Sequence, residues 1–331
     1  MRTSKLLFAL LLCVASVSAF AQITDTYVVT AAANAPGGNG TRWLTQLSVF
    51  NPHLDDTLNV SITLLRTGGA PGVEKILEIP PNATFITDDV MSDVFNTAGT
   101  GSMLLATFAE DNPDLPDDEI ISRAFLVTSN TYNDADGTYG QTIPGVWTGL
   151  LDYDYDNISS IAHGIDNSST LKFRTNVGAV NLGRCAITVY VSVYDANGVT
   201  RLENVPFGVP PLAHWQDRLP GTLEGGSVEF LVEDPCSNDD DRYAVVFPYT
   251  STIDDISGDP RYQTPSLLAS PGLIFGKKGN GNAKLSAAAL ADPTKIGKKI
   301  DSAYARKVRA SVSHLGKVQL MRADRGWVVA K

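Results

Sequence analysis

Residues 42–52, RWLTQLSVFNP, and residues 172–182, KFRTNVGAVNL, carry one pattern 130 residues apart. Trp43 falls on Phe173, Thr45 on Thr175, Leu47 on Val177, Val49 on Ala179 and Asn51 on Asn181. Leu44, Gln46, Ser48 and Phe50 alternate with Trp43, Thr45, Leu47 and Val49. A period of two marks a strand with one face buried and the other exposed.

The correspondence extends outward. Val60, Ile62 and Leu64 match Val189, Val191 and Val193. Pro80-Pro81-x-Ala83-x-Phe85 matches Pro210-Pro211-x-Ala213-x-Trp215, and Gly101-Ser102-Met103 matches Gly226-Ser227-Val228. Gly137 followed by Gln141-Thr142-Ile143-Pro144 matches Gly258 followed by Gln263-Thr264-Pro265. Blocks kept in order at similar spacing indicate an internal duplication. Turn signals separate the strands, and Asn197-Gly198 predicts a tight hairpin. About seven short strands per copy predict a β-sandwich. The expected class is all-β: two tandem Ig-like antiparallel β-sandwiches with a short basic α/hairpin C-terminal tail. The expected limits are a leader at 1–21, sandwiches at 22–146 and 159–268, an interdomain segment at 147–158 and a tail at 269–331.

Pro36 through Asn51 reads P-G-x-x-G-T-x-W-x-T-x-L-x-V-x-N. This resembles tandem Ig-like sandwich modules of exported, largely uncharacterised bacterial proteins, which end in a similar Gly…Gln-x-x-Pro segment. The resemblance covers residues 26 to 268 and implies a fold and a surface location. It implies no catalytic residue. The second copy has Asn167-Ser168-Ser169-Thr170 in place of the Gly-rich approach, so only the strand blocks transfer.

The chain has 331 residues, with 26 Lys+Arg against 36 Asp+Glu and 43% hydrophobic residues. That is apolar enough for real cores and too acidic for a general nucleic-acid binder. Arg2 and Lys5 precede an uncharged apolar run from Leu6 to Val17, and Ala19-Phe20-Ala21 supplies a signal-peptidase site. Export to the cell envelope or beyond is the expected location. Two cysteines remain after Gln22, Cys185 and Cys236, and an oxidising compartment favours one disulfide between them.

Catalytic patterns are absent: no Gly-x-Ser-x-Gly, His-Glu-x-x-His or Ser-x-x-Lys stands in a fitting context. Asp152, Asp154 and Asp156 alternate as a speculative Ca²⁺ site, but the Gly and Glu of an EF-hand loop are missing. A solvated acidic loop is the better reading, and no cofactor is expected. Trp43 and Trp215 match aromatic positions in the other copy and read as core. Trp147, Tyr153 and Tyr155 lie between the copies and read as junction packing, with ligand contact as the alternative. The expected role is a non-enzymatic interaction or structural module. It binds an extracellular protein or glycan through sandwich loops. An accessory carbohydrate-binding protein using the interdomain aromatics is the alternative, and a carboxylate-based hydrolase stands third.

Residues 277–331 carry a net charge of +10, against −22 for residues 22–276. Asp292-Pro293 starts a helical pattern of Ile296, Ile300, Tyr304, Val308, Val312 and Leu315. Lys295, Lys298, Lys299, Arg306, Lys307 and Arg309 flank that stripe, and a hairpin is expected across Asp324-Arg325-Gly326. Docking on the acidic sandwiches and binding an anionic surface are the two leading readings. A removable sorting segment and an out-of-frame extension are the others.

The mature chain is expected to start at Gln22 and to weigh two hydrogens less before reduction than after. The intact mass of protein recovered from its host checks both expectations.

Overall fold

The computed structural model describes residues 25–37, 40–69, 72–107, 123–135, 137–147, 158–183, 185–233, 246–269, 319–322 and 327–329. The first copy holds β1 (Thr26–Pro36), β2 (Arg42–Phe50), β3 (Leu58–Arg66), β4 (Val73–Ile79) and β5 (Thr84–Thr87). It continues with β6 (Gly99–Thr107), β7 (Leu126–Ala135), β8 (Gly137–Pro144) and β9 (Val146–Trp147). The second copy holds β10 (Ile158–Asn167), β11 (Phe173–Asn181), β12 (Ile187–Tyr194), β13 (Thr200–Val209) and β14 (Ala213–Arg218). β15 (Leu223–Glu233), β16 (Val246–Asp254), β17 (Pro260–Gln263) and β18 (Ser266–Ala269) complete it.

Strand order repeats. The sequence β4-β3-β6-β1-β9 in one copy matches β13-β12-β15-β10-β18 in the other. Likewise β5-β2-β7-β8 matches β14-β11-β16-β17. Each copy is an all-β, antiparallel five-on-four sandwich, richer by two strands than the pattern alone indicates. In the first copy β1 also pairs with β2 through Asn34–Pro36 and links its two sheets.

Alternation supplies the cores. In β2, Thr45, Leu47 and Val49 are buried, whereas Leu44, Gln46 and Ser48 are half-buried. Leu47, Val49, Ile62, Leu64, Phe85, Met103 and Phe125 belong to one core. Val177, Ala179, Val189, Val191, Val228 and Phe230 belong to the other.

The duplication reaches individual hydrogen bonds. Asn51 Nδ2 donates to the carbonyls of Asp56, Ile79 and Pro80, and its Oδ1 accepts from His53 N. Asn181 Nδ2 donates to the carbonyls of Cys185, Val209 and Pro210, and its Oδ1 accepts from Gly183 N. Thr45 and Thr131 share a hydroxyl hydrogen bond of 2.8 Å, as do Thr175 and Thr252. A Cβ on Gly101 would sit 2.6 Å from Leu65 O, and one on Gly226 would sit 2.3 Å from Tyr194 O. Only glycine admits that approach of neighbouring backbones.

Three local features differ from the sequence reading. The Asn197-Gly198 hairpin forms, but through a wider loop in which Asp195 N donates to Val199 O. The Asp195 carboxylate accepts from Asn197 N and Val199 N and shapes that loop. A short helix, α1 (Val90–Asp93), is capped by Asp89, whose carboxylate accepts from Ser92 N. The C-terminal hairpin does not form. β19 (Gln319–Arg322) runs parallel to β4, and β20 (Trp327–Val329) runs parallel to β5. Edge strands present unpaired N–H and C=O groups that compete with a local hairpin for such segments. The expected leader and the basic residues Lys295, Lys298, Lys299, Arg306, Lys307 and Arg309 lie outside the described residues.

The two sandwiches meet through a third apolar cluster. Val28, Leu65 and Leu104 of the first pack with Val180, Leu182 and Phe247 of the second. All six are buried. Removing them from water is worth on the order of 10 kcal/mol before ordering costs.

Replacing Asn51 or Asn181 by Ala is expected to cost about 1–3 kcal/mol for each buried carbonyl left without a donor. Urea unfolding at neutral pH measures the loss, which should be similar for the two variants.

Candidate functional site: a cleft between the sandwiches

The site begins with strand alternation in the second copy. On β14, Ala213 and Trp215 pack toward the core, so His214 and Gln216 point to the other face. On β11 the outward positions are Arg174, Asn176, Gly178 and Val180; on β16 they are Phe247, Tyr249, Ser251 and Ile253. This outer face turns toward the first sandwich.

Register makes Gly178 the pivot. It lies opposite Gln216 on one side and opposite Tyr249 on the other. A Cβ at Gly178 would sit 2.4 Å from Tyr249 Cζ. The missing side chain lets the phenol lie across β11 and reach Gln216. Tyr249 OH donates to Gln216 Oε1 at 2.8 Å.

A buried relay follows from that contact. His214 Nε2 lies 2.6 Å from Tyr249 OH, and His214 Nδ1 lies 2.6 Å from Thr67 Oγ1 of the first sandwich. With Tyr249 donating to Gln216, Nε2–H of His214 donates to Tyr249 and Thr67 donates to Nδ1. The backbone joins in, with Gly68 N donating to His214 O at 3.1 Å. Burial holds the His214 imidazole down to about 3, so it is neutral at physiological pH. Burial, reinforced by the neighbouring Tyr262, pushes the Tyr249 phenol well up. Tyr262, pushed up to about 12 by burial, stacks on Tyr249 and hydrogen-bonds Thr30 of the first sandwich. Gln141 Nε2 donates to Ser251 Oγ at 3.1 Å, a further link between the copies.

Below the relay opens a cleft of about 220 Å³. The second copy contributes Arg174, Asn176, Gln216, Tyr249, Ser251 and Ile253. The first contributes a floor of Ala31, Ala32, Ala33 and Ala35, with Pro36 and Gly37. Trp43, Thr100, Thr131 and Gln141 complete the wall. Arg174 Nε lies 3.2 Å from the Asp255 carboxylate, and both side chains are partly exposed. No carboxylate is among the lining residues.

Trp43 corrects the reading as a core residue. It is half-buried and lines the cleft. It lies opposite Ala35 and Asn133, at the end of β2 where the sheet runs past the core. Small neighbours leave part of its ring uncovered, and its indole edge rests where a Gly37 side chain would stand. Trp215 keeps the expected role, packing on Phe207 at a ring separation of 4.3 Å.

The other sequence candidates are not brought to this cleft. Trp147 belongs to β9, its backbone paired opposite Tyr27. Tyr153, Tyr155, Asp152, Asp154, Asp156 and Cys236 lie outside the described residues. Cys185 is half-buried and its carbonyl accepts from Asn181. Among the described residues, no three His, Cys, Asp or Glu side chains cluster to hold a metal.

Sequence reasoning missed Arg174, Asn176, Gln141, Gln216 and the relay. The signal was present as departures from the repeat. Leu44 has Arg174 as its counterpart, Ser48 has Gly178, Thr84 has His214 and Ile86 has Gln216. The run Ala31-Ala32-Ala33-Asn34-Ala35 likewise has Gly164-Ile165-Asp166-Asn167-Ser168 as its counterpart, with larger side chains in place of Ala32 and Ala33.

Fold and cleft together define a tandem β-sandwich with a polar, ligand-sized junction. No protein-family model and no curated protein matches the chain. Among solved structures it is similar to the Pleurotus ostreatus lectin in its apo form. The identity is 8% over 75% of this chain and 84% of that one, at a TM-score of 0.22. The same lectin in complex with GalNAc gives 9% identity over 75% of this chain and 87% of that one, at a TM-score of 0.17. Likeness at that level carries no argument about this chain.

His214 is expected to make the junction acid-sensitive. The unfolded imidazole takes up a proton near 6.5, whereas the folded one resists until about 3. Its contribution is therefore complete above 6.5 and is lost as pH falls through that window, at about 1.4 kcal/mol per unit. Urea midpoints at pH 7 and pH 5 should fall less in His214→Gln than in the wild type.

Proposed function

We propose that the chain is an exported, non-enzymatic binding module of the cell envelope or extracellular space. It takes its ligand in the junction cleft rather than on the sandwich loops. The observation that carries this reading is the shared lining: Trp43 and Gln141 come from one copy, and Arg174, Asn176 and Gln216 from the other. Concave sites between domains, with an aromatic wall and a few polar groups, are preferred places for ligands.

Binding fits the cleft better than hydrolysis does. A glycosidase needs two carboxylates beside the scissile bond, and the lining supplies none. The nearby imidazole has both nitrogens committed to hydrogen bonds. The carbohydrate-binding alternative passes from Trp147 to Trp43, the aromatic residue that lines the cleft.

Export rests on the leader pattern and on the resemblance to exported sandwich modules. A disulfide between Cys185 and Cys236 is part of this proposal and suits that compartment. No cofactor is proposed.

Glycan and peptide arrays probed with the full chain test the reading. Retention on one class is expected, with about a tenfold loss for both Trp43→Ala and Asn176→Ala. Asn176 is half-buried, so its variant should keep the wild-type melting temperature. Retention unchanged in both variants would place the ligand elsewhere.

A further inference from the structure

We propose that the cleft holds one neutral saccharide ring. The inference rests on the cleft being the ligand site and adds the class of ligand it takes.

Size is the first constraint. A cleft of about 220 Å³ has room for about seven waters at ~30 Å³ each. That suits one sugar ring with its hydroxyls, and it falls below the ~300–1,000 Å³ of sites for drug-sized ligands.

Unspent hydrogen-bonding groups are the second. Gln216 Oε1 is occupied by Tyr249, which leaves the two N–H donors of Nε2 without a protein partner among the described residues. With Nε2–H of His214 donating to Tyr249, the phenol hydrogen is left for Gln216 Oε1, which orients the amide. Asn176 lines the same wall and makes no side-chain hydrogen bond within the described protein, so it offers both donors and an acceptor. Two carboxamides match vicinal hydroxyls, which both donate and accept.

Charge is the third. Arg174 brings the only charged group in the lining, and Asp255 at 3.2 Å balances it. Residues 22–276 carry −22 overall, a field that disfavours anionic ligands. A phosphate or uronate would find one cation, Arg174, already opposed by Asp255, and an ammonium sugar would find no lining carboxylate. Trp43 supplies the apolar element, an indole whose electron-rich face attracts the polarised C–H groups of a pyranose. The alanine floor lets a ring approach the β1 backbone closely.

Saturation-transfer NMR on the full chain tests this. The probes are glucose, galactose, mannose and N-acetylglucosamine, with glucuronate and glucosamine as charged counterparts. At least one neutral sugar is expected to receive saturation. Gln216→Glu keeps the acceptor for Tyr249 but removes both N–H donors. It and Asn176→Ala should each weaken binding about tenfold, at unchanged melting temperature.

Three results would overturn the sugar inference while leaving the cleft reading in place. They are binding of the charged sugars alone, neutral-sugar binding indifferent to both variants, or no sugar binding where a peptide binds in a Trp43-dependent way. Failure of every probe, array peptides included, to show Trp43 dependence would overturn the cleft reading as well.

Discussion

Val28, Leu65 and Leu104 of the first sandwich close on Val180, Leu182 and Phe247 of the second. An ordinary sandwich strand buries one face and wets the other. Here β1, β3, β6, β11 and β16 carry apolar residues on both faces, because their outer faces meet each other. Without this contact the relay has no Thr67 and the cleft has no floor. The cleft belongs to neither sandwich alone.

Apolar contact is non-directional and sets no docking angle. The polar groups at its margin do. His214, Tyr249, Thr67 and Gln216 satisfy one another in one arrangement. Rotating the sandwiches would take Thr67 from the buried Nδ1 of His214, at about 1–3 kcal/mol. Gly178 makes the arrangement sterically feasible by giving the Tyr249 ring a place to lie. Backbone space, a buried hydrogen-bond chain and a rigid cleft are thus one device.

The copies have diverged where their surroundings differ. The counterparts of Val28, Leu65 and Leu104 in the second sandwich are Ile161, Tyr194 and Glu229. Tyr194 OH donates to the Glu229 carboxylate at 2.8 Å, and burial pushes that phenol up to about 12. A buried carboxylate stands where the first copy has a leucine, so a further sandwich would meet no matching apolar face. The Asn51 and Asn181 corners, by contrast, are nearly identical, because both hold the same turn against the same kind of core.

Much of the fold was legible locally. Period-two alternation, turn residues and the 130-residue repeat are short-range signals, and they determine strands, sheet faces and duplication. They also placed Trp215 in a core, and they misplaced Trp43 there because a half-buried and a buried indole look alike in a strand pattern. The cleft was present in the sequence only as departures from the repeat, at Arg174, Gly178, His214 and Gln216. Those departures have no meaning until one knows which outer faces touch. Strand patterns determine that a sheet has two faces. Only the tertiary structure decides which outer face is covered, because that depends on contacts between residues such as Thr67 and His214, 147 positions apart.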